Sequence, residues 1–342
     1  MKKIISIILL ACLIFAFAGC EKASDNRVVA TIDGENVYFW ELSFFLDSVK
    51  SELINQAGLA SEDEAKDFWK NTDIEGTPAK EVAKNKALEQ VILFKEKVIL
   101  AKNAGCTLSD EQLAEIKEQL KQTKASLGGE EEFTKTLNKI GLTPENYESL
   151  MKDSYLVDSL MTKLSDEGTL TVADDEITKF YEENIADFRT TVTAKHILIS
   201  TVDENQQPKS EADKEAAKLK AEDLYAKITS GALDFDAAMN EHSEDPGLAT
   251  SPDGYTFSRG QMVEVFENTS FGAKIGEVCA PVLSDFGWHI ILVTDAEKYS
   301  FEEVSESIRY QLLTEDFEVY SKEVTKDFKV NTDNKILDTV KF

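Results

Sequence analysis

Phe257-Ser258-Arg259-Gly260-Gln261-Met262-Val263-Glu264-Val265-Phe266-Glu267 is the stretch on which the fold of this chain turns. Upstream of it lies Thr193-Ala194-Lys195-His196-Ile197-Leu198, and downstream lies Phe286-Gly287-Trp288-His289-Ile290-Ile291. The chain has 3 histidines, and two of them occupy corresponding places on these two apolar, strand-like segments. Periodicity orders the surroundings. Thr191 to Ser200 alternates and ends apolar, a strand. Ser210 to Thr229 and Phe235 to Glu241 read as helices, Gly254 to Phe257 as a short strand, and Val263 to Ser270 as a helix. Val278 to Leu283 and Trp288 to Thr294 read as closing strands. The order β-α-α-β-α-β-β is an α+β pattern.

Taken together, the three segments resemble the parvulin family of peptidyl-prolyl cis/trans isomerases, over about a third of the chain from Thr190 to Asp295. The resemblance implies a four-stranded antiparallel sheet with flanking helices, and an activity on X-Pro bonds of unfolded or flexible polypeptides. Rotating such an amide breaks its resonance, against a barrier of about 18–20 kcal/mol. No nucleophile, metal or cofactor is required; a dry pocket that grips the proline ring is. By the resemblance, Met262 and Phe266, four residues apart on one helix face, supply that grip, and Phe257 backs them from the preceding strand. His196 and His289 match the family's two histidines, which hydrogen-bond to each other beneath the substrate amide. Asp245, in Ser243-Glu244-Asp245-Pro246, matches the place where the family carries Cys or Asp near the substrate carbonyl. Ser243, Ser284 and Asp285 fall at supporting or turn positions, and His242 reads as a helix-end residue. One departure is plain. The family's Gly-Gly-Asp-Leu-Gly run is here Ser251-Pro252-Asp253-Gly254-Tyr255, so a tyrosine replaces a glycine at the loop and one wall of the pocket. Residue by residue, plainer readings stand beside these: Met262 and Phe266 as core, each histidine as a satisfied core residue, Asp245-Pro246-Gly247 as a turn.

The N-terminus belongs to no fold. Met1-Lys2-Lys3 is a positive n-region, and Ile4 to Ala18 is an apolar run too short for a bilayer span of about 20 residues. It ends in Phe17-Ala18-Gly19-Cys20, which looks like a bacterial lipobox, with Phe17 where Leu is usual. Residues 1–19 are therefore read as a lipoprotein signal peptide, Cys20 as the lipidation residue, and residues 20–26 as a tether. An ordinary secretory signal or a short uncleaved anchor is the alternative. Cys12 falls in the signal core, which leaves Cys106 and Cys279 in different expected domains, with no metal-ligand spacing nearby. The net charge of −27 repels nucleic acid and anionic lipid headgroups.

The mature chain opens with Val28-Val29-Ala30-Thr31-Ile32 and the hairpin signal Asp33-Gly34. An amphipathic helix follows from Phe39 with Leu42, Phe45, Leu46 and Val49, and then a long helix over about Pro78 to Ala104. Ser109 with Gln112 reads as a capping box, Thr143-Pro144 as a helix start, and Asp174 to Ala186 as a further helix. Ser300 with Glu303 opens a last acidic helix carrying Val304, Ile308 and Leu312. This layout resembles the PrsA-like extracytoplasmic foldases and, in outline, the SurA chaperones. It implies a mostly helical chaperone domain, residues 27–188 with a returning C-terminal helix in 298–342, and a parvulin domain inserted at 190–297. The implied partners are unfolded or newly exported polypeptides with X-Pro bonds, the membrane through an N-terminal lipid on its extracytoplasmic face, and, as one option, a second copy in a homodimer. The alternative function is a non-enzymatic holdase whose parvulin unit is inactive.

Overall fold

The structure is a computed structural model that describes residues 25–59 and 61–342. The expected signal peptide and Cys20 lie outside the described residues. The chain divides into two compact units: residues through Thr171 together with Gln311–Phe342, and Val172–Tyr310.

In the first unit, β1 (Val28–Ile32) turns back on β2 (Glu35–Tyr38). Asp33 and Gly34 at the turn have φ of 50° and 91°, the paired positive values a tight hairpin of this hand requires. Helix α1 (Phe39–Gln56) begins where the Glu41 carboxylate accepts a hydrogen bond from the Tyr38 amide. Helix α2 (Glu62–Asn71), a two-residue ribbon of β3 (Asp73–Ile74) and β4 (Thr77–Pro78), and α3 (Ala79–Asn103) follow. Then come α4 (Asp110–Ser126), α5 (Glu130–Lys139) and α6 (Pro144–Asp166). The capping boxes at Ser109/Gln112 and Thr143/Asn146 form as reciprocal side-chain bonds.

Helix α1 is buried on two faces, not one. Leu42, Leu46 and Val49 pack with β1 and with Val91 and Ile99 of α3. Trp40 and Phe44 enter a second core with Ile116, Phe133, Leu137, Tyr147 and Leu150 from α4, α5 and α6. Between them, Glu41 pairs with Lys95 at 2.8 Å, both buried; each charge finds its partner where an isolated one would be costly.

The second unit holds α7 (Asp174–Glu183), β5 (Arg189–Ser200), α8 (Glu211–Thr229), α9 (Phe235–His242), β6 (Tyr255–Phe257), α10 (Glu264–Gly272), β7 (Val282–Ser284) and β8 (Gly287–Lys298). Its sheet has the order β6-β5-β8-β7, antiparallel throughout. Alternation along β5 and β8 sorts their side chains to two faces. Ile197, Ile199 and Ile290 meet α8 and α9 through Ala221, Leu224 and Phe235. Val192, Ala194, Ile291 and Val293 meet Phe257, Phe266 and Phe271. Both closing strands differ from the expected ranges: β7 starts at Val282, with Val278 in an isolated bridge to Leu292, and β8 runs on to Lys298.

Helix α11 (Phe301–Thr325) begins in this unit, and its residues from Gln311 on belong to the first. The chain then adds β9 (Val330–Thr332), antiparallel to β1, and α12 (Asn334–Leu337). Phe328, Ile336, Leu337 and Val340 pack into the first unit's core. The fold is thus the expected one: helical, with a returning C-terminal helix and a four-stranded antiparallel sheet in the second unit. Cys106 and Cys279 are free thiols.

Candidate active site

His196 stands on β5 opposite Ile291, and His289 on β8 opposite Leu198, on the sheet face that α10 covers. Their ring centroids are 5.2 Å apart. Phe266 of α10 presents its ring near-perpendicular to both, at 5.1 Å from His196 and 5.4 Å from His289. Phe257 on β6 lies 5.7 Å from Phe266 on the far side. Met262 joins the same apolar cluster half-buried. It does not ride on the helix with Phe266, because α10 starts only at Glu264. The histidine pair makes no hydrogen bond across the gap. His289 Nε2 is 2.7 Å from Ser284 Oγ instead, and both Nδ1 atoms are buried without a hydrogen-bond partner.

Asp245 reaches the pair through a loop clipped to β5. Glu244 donates its amide to the Leu198 carbonyl, and the Leu198 amide donates to Ser243 Oγ at 3.1 Å. Those bonds leave the Asp245 carboxylate 3.7 Å from His196 Nε2. Burial lowers the basicity of both imidazoles, only partly offset by Asp245. For His289 the neighbouring His196 adds to the burial effect and takes it down to about 4. Two uncharged imidazoles beside an aromatic wall and a half-buried methionine form an apolar site edged by one carboxylate. Among the described residues no cluster of His, Cys, Asp or Glu could hold a metal ion. Ser284 supports His289, Asp285 is an exposed turn residue, and His242 ends α9 near Glu241.

The model for the PPIC-type PPIase domain matches residues 176–297, and that for the SurA-like N-terminal domain matches residues 1–161. The chain is thus similar to PPIC-type PPIases over one segment and to SurA-like N-terminal domains over another. The foldase protein PrsA of Halalkalibacterium halodurans is 34% identical over 228 residues, which cover 66% of this chain and 62% of that protein. This chain therefore spans about three fifths of that relative's length. The foldase protein PrsA of Clostridium botulinum is 26% identical over 342 residues, 94% of each chain. The crystal structure of the peptidylprolyl isomerase PrsA from Bacillus cereus is 24% identical, with 72% of this chain and 83% of that one covered and a TM-score of 0.34. By the match over residues 176–297, the second unit carries a parvulin-type peptidyl-prolyl isomerase domain.

One residue of this site escapes the sequence. Glu267 follows Phe266 on α10 and is buried. Its carboxylate accepts backbone amides from Gly260 at 2.7 Å, Gln261 at 3.2 Å and Met262 at 3.5 Å. Arg259 lies over the Phe271 ring at 4.2 Å and caps the same loop. Three amides converging on one carboxylate hold the loop, and with it Met262, against Phe266. An acid on an early helical turn ordinarily reads as a solvated end, and the Arg-Gly turn seven residues before it is the only signal that it folds inward.

Proposed function

We propose that this protein is a foldase that accelerates cis/trans isomerisation of X-Pro bonds in newly exported, unfolded polypeptides, tethered to the outer face of the membrane through lipid on Cys20, while its helical unit holds the client. The observation that carries the reading is the buried His196–His289 pair under Phe266, with Met262 half-open beside it. A planar amide is stabilised by charge separation onto its oxygen, and the twisted transition state lacks that separation. An apolar pocket with neutral imidazoles favours the twisted form relative to water, because it cannot solvate the planar dipole as well. Asp245, at the rim, adds negative charge beside the carbonyl and works in the same direction. Met262, Phe266 and Phe257 hold the proline ring while the preceding carbonyl turns. Refolding of a proline-limited client is the test: the full chain accelerates the slow phase, which uncatalysed takes tens to hundreds of seconds. Suppressed aggregation with an unchanged slow phase is the outcome that gives the holdase reading its place.

Substrate charge follows from the same unit. The loop after β5 carries Asp203 and Glu204 against Lys209. Lys209 is already engaged, donating to the Ser200 carbonyl at 3.0 Å and sitting 3.5 Å from Glu244. A cleft of about 380 Å³ opens beside it, where Lys214 and Lys218 face Glu211, Glu215 and Asp285. No excess positive charge awaits a phosphate, whose recognition takes converging Arg or Lys donors. Phosphoserine-proline peptides are expected to turn over no faster than serine-proline peptides. A several-fold gain on phosphorylation counts against this.

Anchoring rests on Phe17-Ala18-Gly19-Cys20. Among the described residues no helix is long and apolar enough to cross a membrane. Cys20→Ser is expected to move the protein from the membrane fraction to the soluble one, or to leave its signal uncut. Unchanged fractionation and processing refute the lipobox.

A further inference from the structure

Tyr255 stands where the family run ends in glycine, and its side chain points into the site rather than away from it. On β6 it pairs with Ala194 and shares the face of Phe257, which sets its ring 5.8 Å from the His196 ring. Its hydroxyl donates to Asp245 Oδ2 at 2.7 Å, the same oxygen that lies 3.7 Å from His196 Nε2. The other carboxylate oxygen, Oδ1, accepts the Gly247 amide at 3.1 Å. Each oxygen of Asp245 therefore has one fixed donor. The hydroxyl also occupies the room above Gly247, where a Cβ would fall 2.0 Å from it. The backbone of Gly247 is not in the left-handed region, so glycine is needed there for space. Tyr255, Asp245 and Gly247 fit as a set.

We propose that Tyr255 is a positioning residue for the isomerisation, clamping the Asp245 carboxylate beside His196 and out of hydrogen-bond contact with it. The proposal rests on the isomerase reading above. With its hydroxyl in place, the Asp245 carboxylate stays 3.7 Å from His196 Nε2, while burial keeps His196 neutral. The titratable groups facing this point are His196 from β5, His289 from β8, Tyr255 from β6 and Asp245 itself; α10 contributes only the Phe266 ring. Burial and the bond to Asp245 push the Tyr255 hydroxyl up to about 12, so it remains a donor across physiological pH. Freed of that donor, the carboxylate is able to swing onto His196 Nε2, where it pairs with an imidazolium and makes His196 more basic.

The test uses the full chain and Tyr255→Phe, which keeps the ring and removes the hydroxyl. The kcat on an alanine-proline peptide is expected to fall about five- to tenfold with KM nearly unchanged, the scale of one lost hydrogen bond. The His196 titration midpoint, read by imidazole NMR, is expected to rise. In an Asp245→Asn background the same substitution is expected to change little further, since the two act through one contact. Gly247→Ala, which displaces the hydroxyl by steric pressure, should reproduce the His196 shift. Unaltered kcat together with an unaltered His196 titration in Tyr255→Phe overturns the proposal, as does an equal loss in the Asp245→Asn background. If the unsubstituted protein isomerises nothing, the isomerase reading fails by itself, and a shifted His196 titration still shows the clamp.

Discussion

Met262→Ala lowers kcat/KM for X-Pro isomerisation by about tenfold or more while the parvulin unit stays folded. Met262 is half-buried in the loop ahead of α10, beside Phe257 and Phe266. The face it leaves open is the face available to a proline ring. Truncating it removes apolar contact worth about 1.5–3 kcal/mol to a fully buried ligand group, and about 1.4 kcal/mol is a factor of ten. The loop itself should hold, because its amides hang from Glu267 rather than from the methionine side chain. Phe266 is a different case. It is 4% exposed and wedged among His196, His289 and Phe257. Phe266→Ala therefore removes both the pocket wall and part of the core, at a stability cost of about 3–5 kcal/mol. Phe266→Leu retains most of the volume and separates the two effects. The measurement is a protease-free peptide assay alongside a thermal melt of each variant. Undiminished turnover in a folded variant altered at both Met262 and Phe266 removes the pocket from the mechanism.

The apolar skeleton of this site is legible in the chain because each part has a local signature. Two histidines interrupt otherwise apolar alternations, and Phe257, Met262 and Phe266 keep a fixed spacing. What is not legible depends on residues meeting across the fold. Met262 reads as helical by its spacing to Phe266. Gly260, at φ 82°, and the three amides drawn to Glu267 instead turn the preceding chain into a loop. Tyr255 reads as a departure from a glycine, and only the folded loop shows that Asp245, ten residues earlier, is its acceptor. The expected bond between the histidines is displaced because Ser284, at the end of β7, offers His289 a shorter partner.

The same reason separates the helices that periodicity shows from those it does not. A single stripe of Leu42, Phe45, Leu46 and Val49 marks α1, but Trp40 and Phe44 give it a second buried face, since a separate core forms there. Helix α5 buries only Phe133 and Leu137, one i,i+4 pair in a run rich in charge. Strand β9 is three residues long, and it is a strand only because β1, some three hundred residues earlier, supplies its ladder.

Deleting Gln311–Phe342 should abolish or deeply lower the melting transition of the helical unit and leave that of the parvulin unit in place. The deletion removes β9 and reduces the sheet to the β1–β2 hairpin, and a lone hairpin is marginally stable in water. It strips Leu337, Phe328, Ile336 and Val340 from the core around Val29, Leu42 and Val91. It also takes away Phe317, which is buried, and the Thr325 hydroxyl that donates to the buried Glu96 carboxylate at 3.1 Å. Lys97 loses Glu318 as its partner, and Lys50 loses the Lys341 carbonyl. Two deeply buried side chains at about 1.5–3 kcal/mol each, with three half-buried ones behind them, already reach roughly 5–10 kcal/mol. That matches the whole stability of an ordinary domain, about 5–15 kcal/mol. The parvulin unit keeps what it uses of α11. Phe301 stays against the Tyr181 ring, and Arg309 still donates to the Val172 carbonyl and pairs with Asp174. Calorimetry on the full chain should show two transitions, and on the truncated chain one, at the position of the transition that an isolated 172–310 fragment gives. A helical transition that survives the deletion unmoved would mean that the C-terminal segment contributes nothing to the core it packs into.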